Sequence, residues 1–341
     1  MAARRILYIG GTGAISTSCV ARSLSRGDEV TVFNRGTGQR PIPDGAESVV
    51  GDIRDAQSVR DALGEREFDA VAQFTAFTPK HVLADVDLFE GRVGQYVFIS
   101  SASAYQKPPQ RLPITESTPL RNPFSQYARD KIACEDLLVG AYRERALPIT
   151  IVRPSHTYDH TLFPTRGGWT DIVRLREGRP VVIHGDGTSL WTLTHSDDFA
   201  VGFAGLLANP LAIGEAFTIT GDHVPTWNQI YGWVADAAGV ASPAFVHIAS
   251  ETIARLDPAQ SASLIGDKAH SAVFDNSKIK ALVPEFGTTI TFDEGARRLI
   301  EYYDARPDAQ RFDPERDAII DRLIAAAGPD AAAARFAELE R

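Results

Sequence analysis

Residues 5–16 read Arg5-Ile6-Leu7-Tyr8-Ile9-Gly10-Gly11-Thr12-Gly13-Ala14-Ile15-Ser16, an apolar run that breaks into glycines and then passes at once into a helical pattern. Consecutive apolar residues of this kind suit a strand buried on both faces. Ile15, Cys19, Val20 and Leu24 recur at helical spacing until Arg26-Gly27 stops them. A glycine-rich turn between a strand and a helix N-terminus is a seat for a phosphate. Glycine lets the anion approach the backbone, and the unpaired N–H groups and dipole of the helix meet its charge. Gly10, Gly11, Thr12, Gly13, Ala14 and Ile15 are therefore the first candidate cofactor residues. The last glycine of the usual G-x-G-x-x-G is Ser16 here, still small enough for close helix–strand packing.

Outward from this turn the alternation repeats. Strands are expected at Glu29–Asn34, at Glu47–Val50 (closed by Gly51-Asp52), within Phe68–Phe77, at Gln95–Ser100 and at Ile149–Arg153. Helical stretches fall at Ala56–Leu63 and from about Ser125 to Arg145. The pattern predicts an α/β fold with a doubly wound parallel sheet. Beyond Pro154 glycine, proline and tryptophan become frequent, so residues 1–158 are read as a nucleotide-binding domain. Residues 159–341 are read as a smaller, mostly C-terminal α+β substrate region, with segments within 190–222, such as Gly214–Thr220, returning to the sheet. Pro314–Arg341 is expected to form one or two amphipathic helices.

Composition narrows the class. Lys plus Arg number 35 against 44 Asp plus Glu, a net charge of −9 that argues against a nucleic-acid binder. Cys19 and Cys134 are the only cysteines, too few to staple 341 residues, so a reducing cytoplasm is expected. No apolar run approaches the ~18 residues of a membrane helix, and Ile6–Ile9 is too short for a signal peptide's apolar core.

The second strand ends Phe33-Asn34-Arg35-Gly36, where an NAD-selective site would place an acidic residue against the ribose 2′-hydroxyl. An amide and a guanidinium, with Arg40 nearby, favour a 2′-phosphate and hence NADP, NAD remaining open. Asp52 is placed to accept from the adenine amino group, and Ile53 and Thr75 complete the expected cofactor wall. Further on, Tyr127 and Lys131 lie four apart on one helix face, and Ser100-Ser101-Ala102-Ser103 follows the fifth strand. An ammonium next to a phenol is expected to lower its pKa towards use as an acid/base. A serine hydroxyl can hold the reacting oxygen.

These motifs together resemble the extended short-chain dehydrogenase/reductases of the NAD-dependent epimerase/dehydratase family. The likeness rests on Gly10–Ser16, Gly51–Asp55, Ser100–Tyr105, Tyr127/Lys131, Arg153–Tyr158, Gly185-Asp186-Gly187 with His195–Asp198, and Asp275–Lys278 through Phe292–Gly295. The resemblance implies a Rossmann domain with Tyr127 as general acid/base. Lys131 would bind the nicotinamide ribose, Ser101 (or Ser103) would polarise the substrate oxygen, and Pro154 to His156 would lie beside the nicotinamide. It also implies a homodimer packed through the tyrosine helix.

Two departures bear on the substrate. The Asn34-Arg35 pair is unlike the acidic residue of NAD-retaining sugar epimerases. No arginine follows Gly185-Asp186-Gly187, where nucleotide-sugar enzymes usually hold a diphosphate; Arg166, Arg174 and Arg179 are the substitutes within the region. His160, Trp169 and Trp191 are further candidates for the substrate region. His156 and His160 lack the third ligand of a metal site, and no metal is expected. Asp85, Asp87 and Glu90 read as a solvated helix face. Three functions follow: hydride chemistry at a sugar-like carbon, NADPH-dependent ketone reduction of a small metabolite, and a non-catalytic dinucleotide- or RNA-binding role. The last is opposed by the intact Tyr127/Lys131 pair and the acidic charge.

Overall fold

The computed structural model describes residues 3–38, 40–327 and 334–335. The expected alternation is realised as β1 (Arg5–Ile9), α1 (Ala14–Ser25), β2 (Glu29–Asn34), β3 (Glu47–Val50), α2 (Ala56–Leu63), β4 (Ala70–Gln73), α3 (Pro79–Phe89), β5 (Tyr96–Ile99), α4 (Gln126–Arg145) and β6 (Ile149–Pro154). The chain continues through β7 (His156–Tyr158), α5 (Trp169–Arg176), β8 (Val181–His184), β9 (Leu193–His195), α6 (Ser196–Leu206), β10 (Ala216–Ile219) and α7 (Trp227–Ala237). Then come β11 (Ala244–Ile248), α8 (Ser250–Leu256), α9 (Pro258–Ser263), α10 (Ser277–Leu282), α11 (Phe292–Asp304) and α12 (Pro314–Ala327).

Seven parallel strands form the main sheet in the order β10-β6-β5-β4-β1-β2-β3. The period-2 alternation of a strand explains the unbroken apolar run of β1. Ile6 and Tyr8 enter one core with α1 and α6, through Val20, Phe199 and Phe203. Leu7 and Ile9 enter the other, with Val59 of α2, Val86 of α3 and Leu138 of α4. Each such side chain contributes about 1.5–3 kcal/mol on burial. Because the chain runs outward from β1 through β2 and β3 and then returns to set β4 on the other edge of β1, the strand order reverses at β1 and a crevice opens at the carboxyl ends of the strands.

The return to the sheet expected within 190–222 is made by β10, which pairs with β6 from Ala216↔Ile151 to Ile219↔Pro154. A third core gathers Trp191, Trp227, Ile230, Leu299 and the β8 residues Val181 and Ile183, against which β11 runs parallel. Of the helical stretch expected over Pro314–Arg341, α12 is present; the remainder lies outside the described residues apart from 334–335.

Asp85 departs from expectation. It is fully buried on α3, not solvated, and accepts hydrogen bonds from Gln73 Nε2 at 2.7 Å and the Tyr96 hydroxyl at 2.8 Å. Period-3.6 reading could not separate it from Asp87 and Glu90, which pair with Arg145 at the surface. Burial pushes the Asp85 carboxyl up to about 6, against the pull of Tyr96, Arg54 and Gln73.

Candidate active site

The glycine turn is shaped by close approaches. Gly10 has φ +87°, and a side chain there would overlap Thr75 Cγ2. Gly11 faces inward, where a Cβ would come within 2.8 Å of Val32 Cγ1. It therefore packs β1 on β2 and does not line the cleft, a correction to its expected role in touching the cofactor. Ser16 closes the turn on itself, since its hydroxyl accepts the Gly13 N–H at 2.8 Å and donates to the Gly10 carbonyl at 2.7 Å. That clamp holds the turn below the first turn of α1, whose backbone donors stay open and which carries no acidic side chain.

From this turn a cleft of about 780 Å³ extends along the strand ends, walled by Thr12, Gly13, Ala14, Ile15, Asn34, Arg35, Asp52, Ile53 and Thr75. The Asn34 side chain accepts the Gly36 N–H at 2.7 Å, which fixes the loop after β2. Arg35 is exposed on the cleft wall and has no ion-pair partner among the described residues. Arg40 does not belong to this wall. Its guanidinium pairs with Asp159 at 2.5 Å and bonds the Thr161 hydroxyl, so the cation placed nearby in sequence is bound to the other half of the molecule. Arg54, inside the Gly51–Asp55 motif but not singled out in it, and His81, whose neighbourhood carried no signal, line the cleft as well. Arg54 donates to the Thr75 carbonyl at 2.8 Å, and Thr75 is held by Gln73 at 2.7 and 2.9 Å. The residues present fit a dinucleotide: a side-chain-free seat at a helix N-terminus, a carboxylate at Asp52 and an unpaired guanidinium at Arg35.

Where β5 ends, Ser101 caps a short 3₁₀ turn, and its hydroxyl lies 2.9 Å from that of Ser103. Tyr127, in the first turn of α4, shares a cavity wall with Ser101, whose side chain acts on the phenol. It keeps 46% of its surface accessible. Lys131 is buried one turn further and donates to the carbonyls of Ala76 at 2.8 Å and Ile99 at 2.7 Å. Its amine sits 5.8 Å from the centre of the Tyr127 ring. The lowered phenol expected from this pairing is not what the fold produces. Crowding at the cavity wall raises the Tyr127 pKa, and the opposing pull comes from Ser101. Burial brings Lys131 down to about 8.

A buried ion pair sits beneath this helix. Glu135 binds Arg153 at 2.5 Å and accepts from the Ser100 hydroxyl. Arg153 also reaches the Tyr105 hydroxyl at 3.1 Å. One carboxylate on α4 thereby ties the ends of β5 and β6, next to Ser101 and Pro154.

A second cavity of about 500 Å³ opens at Tyr127, with Ser101, Ser103, Pro154, His156, Trp191 and Lys268 in its walls; Thr157 lines both spaces. The Trp191 indole N–H donates to His156 Nδ1 at 2.9 Å. An indole only donates, so His156 is a neutral ring with its proton on Nε2, and burial holds its pKa down at about 3. The other two substrate candidates are elsewhere. His160 is exposed and its ring meets that of Tyr302 at a tilt of 58°, centroids 4.8 Å apart, and Trp169 packs in the third core on Tyr303 at 5.2 Å. The three arginines proposed to replace a diphosphate ligand are engaged as well: Arg166 with Asp257, Arg174 with Asp317 and Asp321, and Arg179 with Asp317.

The model of the NAD dependent epimerase/dehydratase family matches residues 6–220. Among curated proteins, the chain is 27% identical to 2′-dehydrokanamycin reductase of Streptomyces kanamyceticus, over 69% of this chain and 67% of that protein. It is 26% identical to the 41 kDa chloroplast stem-loop binding protein b of Arabidopsis thaliana, over 72% and 66%. The matched stretches thus span about two thirds of those two relatives. Among solved structures, the epimerase Mth375 of Methanothermobacter thermautotrophicus superposes with a TM-score of 0.75 at 17% identity, over 91% of this chain and 94% of that one. The UDP-glucose 4-epimerase of Thermotoga maritima superposes with 0.71 at 19%, over 88% and 99%. At these identities the superpositions establish the fold alone. The matched span, residues 6–220, takes in the phosphate turn, both serines and the Tyr127/Lys131 pair, and this chain is an enzyme of the NAD-dependent epimerase/dehydratase family.

Proposed function

We propose that this enzyme moves a hydride between NADP(H) and a hydroxyl- or carbonyl-bearing carbon of a sugar or sugar-like molecule, with Tyr127 as acid/base. The observation that carries the reading is the meeting of Tyr127, Ser101 and Ser103 in the wall of one cavity, with the Lys131 amine over the Tyr127 ring. The bound nicotinamide supplies or takes up the hydride. Ser101 donates a hydrogen bond to the substrate oxygen, backed by the Ser103 hydroxyl. Tyr127 removes the proton from an alcohol oxygen there, or returns it to a carbonyl oxygen. Lys131 keeps one proton free beyond its two carbonyl bonds, which suits it to a ribose hydroxyl and to a phenolate. The cofactor is NADP because the Arg35 fork is unpaired on the cleft wall and no carboxylate stands at the end of β2.

A net ketone reduction is the second reading. It is favoured by the second cavity's lack of a lining arginine for a diphosphate and by the reductase among the similar proteins. Mass spectrometry of the nucleotide released on denaturing fresh protein separates the two: retained oxidised cofactor supports an epimerase-like cycle, whereas an empty site that takes NADPH supports a reductase. We also propose a cytoplasmic homodimer, consistent with buried, unbridged Cys19 and Cys134 and with Leu83 and Tyr142 exposed on α3 and α4. Sedimentation equilibrium tests the dimer.

The acid/base assignment is tested by Tyr127→Phe. A positioned proton donor is worth about 10²–10⁴-fold, so turnover falls by that factor while NADPH binding, read by nicotinamide fluorescence, stays near its original value. Loss of cofactor affinity in step with activity overturns the assignment.

A further inference from the structure

The second cavity is largely apolar, with Ala259, Ala272 and Phe274 among its walls, yet Lys268 reaches it from a π-helical turn at Leu264–Lys268. Its ammonium lies 6.0 Å from the centre of the Trp191 ring, the residue that orients His156. No carboxylate is within ion-pair distance of it among the described residues. The one acidic residue lining the cavity, Asp267, is already bonded at 2.7 Å to Lys107, itself 1% exposed.

Charge behind that wall points the same way. Arg166 and Arg316 share Asp257, the residue that opens α9. The Arg166 side chain is 6% exposed, and its Nη1 is buried without a hydrogen-bond partner. Asp171 also faces this group. Lys107, Arg166 and Arg316 each have a carboxylate within ion-pair distance, whereas Lys268, which Asp267 faces from further off, has none among the described residues. An ammonium is a point charge without the bidentate fork that suits a diphosphate.

Resting on the reading of Tyr127 and Ser101 given above, we propose that Lys268 anchors a single carboxylate on the substrate, so that this enzyme acts on a hydroxy- or keto-acid of sugar-like form. The carboxylate pairs with Lys268, a second substrate oxygen accepts from His156 Nε2–H, and the reacting oxygen lies at Ser101 and Tyr127. A cationic aminosugar meets repulsion in the same place, and a nucleoside diphosphate finds no guanidinium.

The test compares ligands that share one ring and differ in charge. With NADP⁺ present, tryptophan fluorescence is titrated with glucuronate, glucose, glucosamine and UDP-glucose. The expected order is glucuronate tightest, by about tenfold over glucose, the factor that one charge-assisted hydrogen bond makes, with glucosamine weakest. Lys268→Met brings glucuronate to within about threefold of glucose, and Lys268→Arg preserves the preference. Glucuronate binding no better than glucose, or not saturating at all, overturns the proposal; so does tighter binding of UDP-glucose, or an order unchanged in Lys268→Met. NADP⁺ binding is measured alongside by isothermal titration calorimetry. NADP⁺ that fails to bind refutes the reading of the first cavity, whereas bound NADP⁺ with the wrong order refutes the carboxylate alone.

Discussion

Arg35 shows how one exposed side chain can decide a cofactor. Its guanidinium is on the cleft wall, and no described carboxylate neutralises it. A bidentate contact to a 2′-phosphate is worth about 1.5–3 kcal/mol. Arg35→Asp is therefore expected to weaken NADPH by about ten- to a hundredfold, and NADH by no more than about threefold, in fluorescence titrations. Equal losses would mean that the side chain never meets a phosphate. Arg40, five residues on, shows the limit of reading neighbours. Both were legible as cations near the end of β2, but only the fold shows that Asp159 holds one of them. Lys268 had no legible neighbourhood at all, since nothing local to a lone lysine marks a cavity wall built from its own segment and four distant ones.

At the scale of elements, two buried carboxylates have different effects. Glu135 joins α4 to the ends of β5 and β6. Glu135→Gln keeps an acceptor for Ser100 but leaves Arg153 buried without its counter-charge, a change that costs about 3–5 kcal/mol. Urea denaturation should show the midpoint falling with the slope unchanged; a loss under about 1 kcal/mol would show that the pair does not hold these elements. Asp85 joins α3 to β4 and β5. Its pKa is raised by burial to about 6, so the folded state binds this proton more tightly than the unfolded chain does. Its contribution is present below the unfolded value of 3.8 and is lost as pH rises through about 6. Roughly two pKa units correspond to about 3 kcal/mol. Between about pH 4 and pH 6.5, wild type should lose about that much more stability than Asp85→Asn. Matching pH profiles of the two proteins would sink this account.

For the whole molecule, cofactor binding and folding are linked, because the cleft exists only when β1, β2, β3 and β4 are paired. A ligand that binds only the folded state at a hundred times its Kd adds about 2.7 kcal/mol. The melting temperature should rise steadily with the logarithm of NADPH concentration, and in Arg35→Asp the rise with NADPH should shrink far more than the rise with NADH. A flat response in wild type would refute the dinucleotide site. The sheet, its strand boundaries and the Tyr127/Lys131 pairing follow from local sequence, since strand and helix periods and glycine turns are short-range signals. The sorting of equivalent-looking residues does not. Trp191 reaches the second cavity while Trp169 joins a core, His156 is oriented by an indole while His160 meets Tyr302 at the surface, and Asp85 is buried while Asp87 is not. Those outcomes depend on partners beyond the local turn, 11 residues away for Asp85 with Tyr96, 35 for Trp191 with His156 and 119 for Arg40 with Asp159. Burial and charge pairing are properties of the packed chain, so only the tertiary structure could decide them.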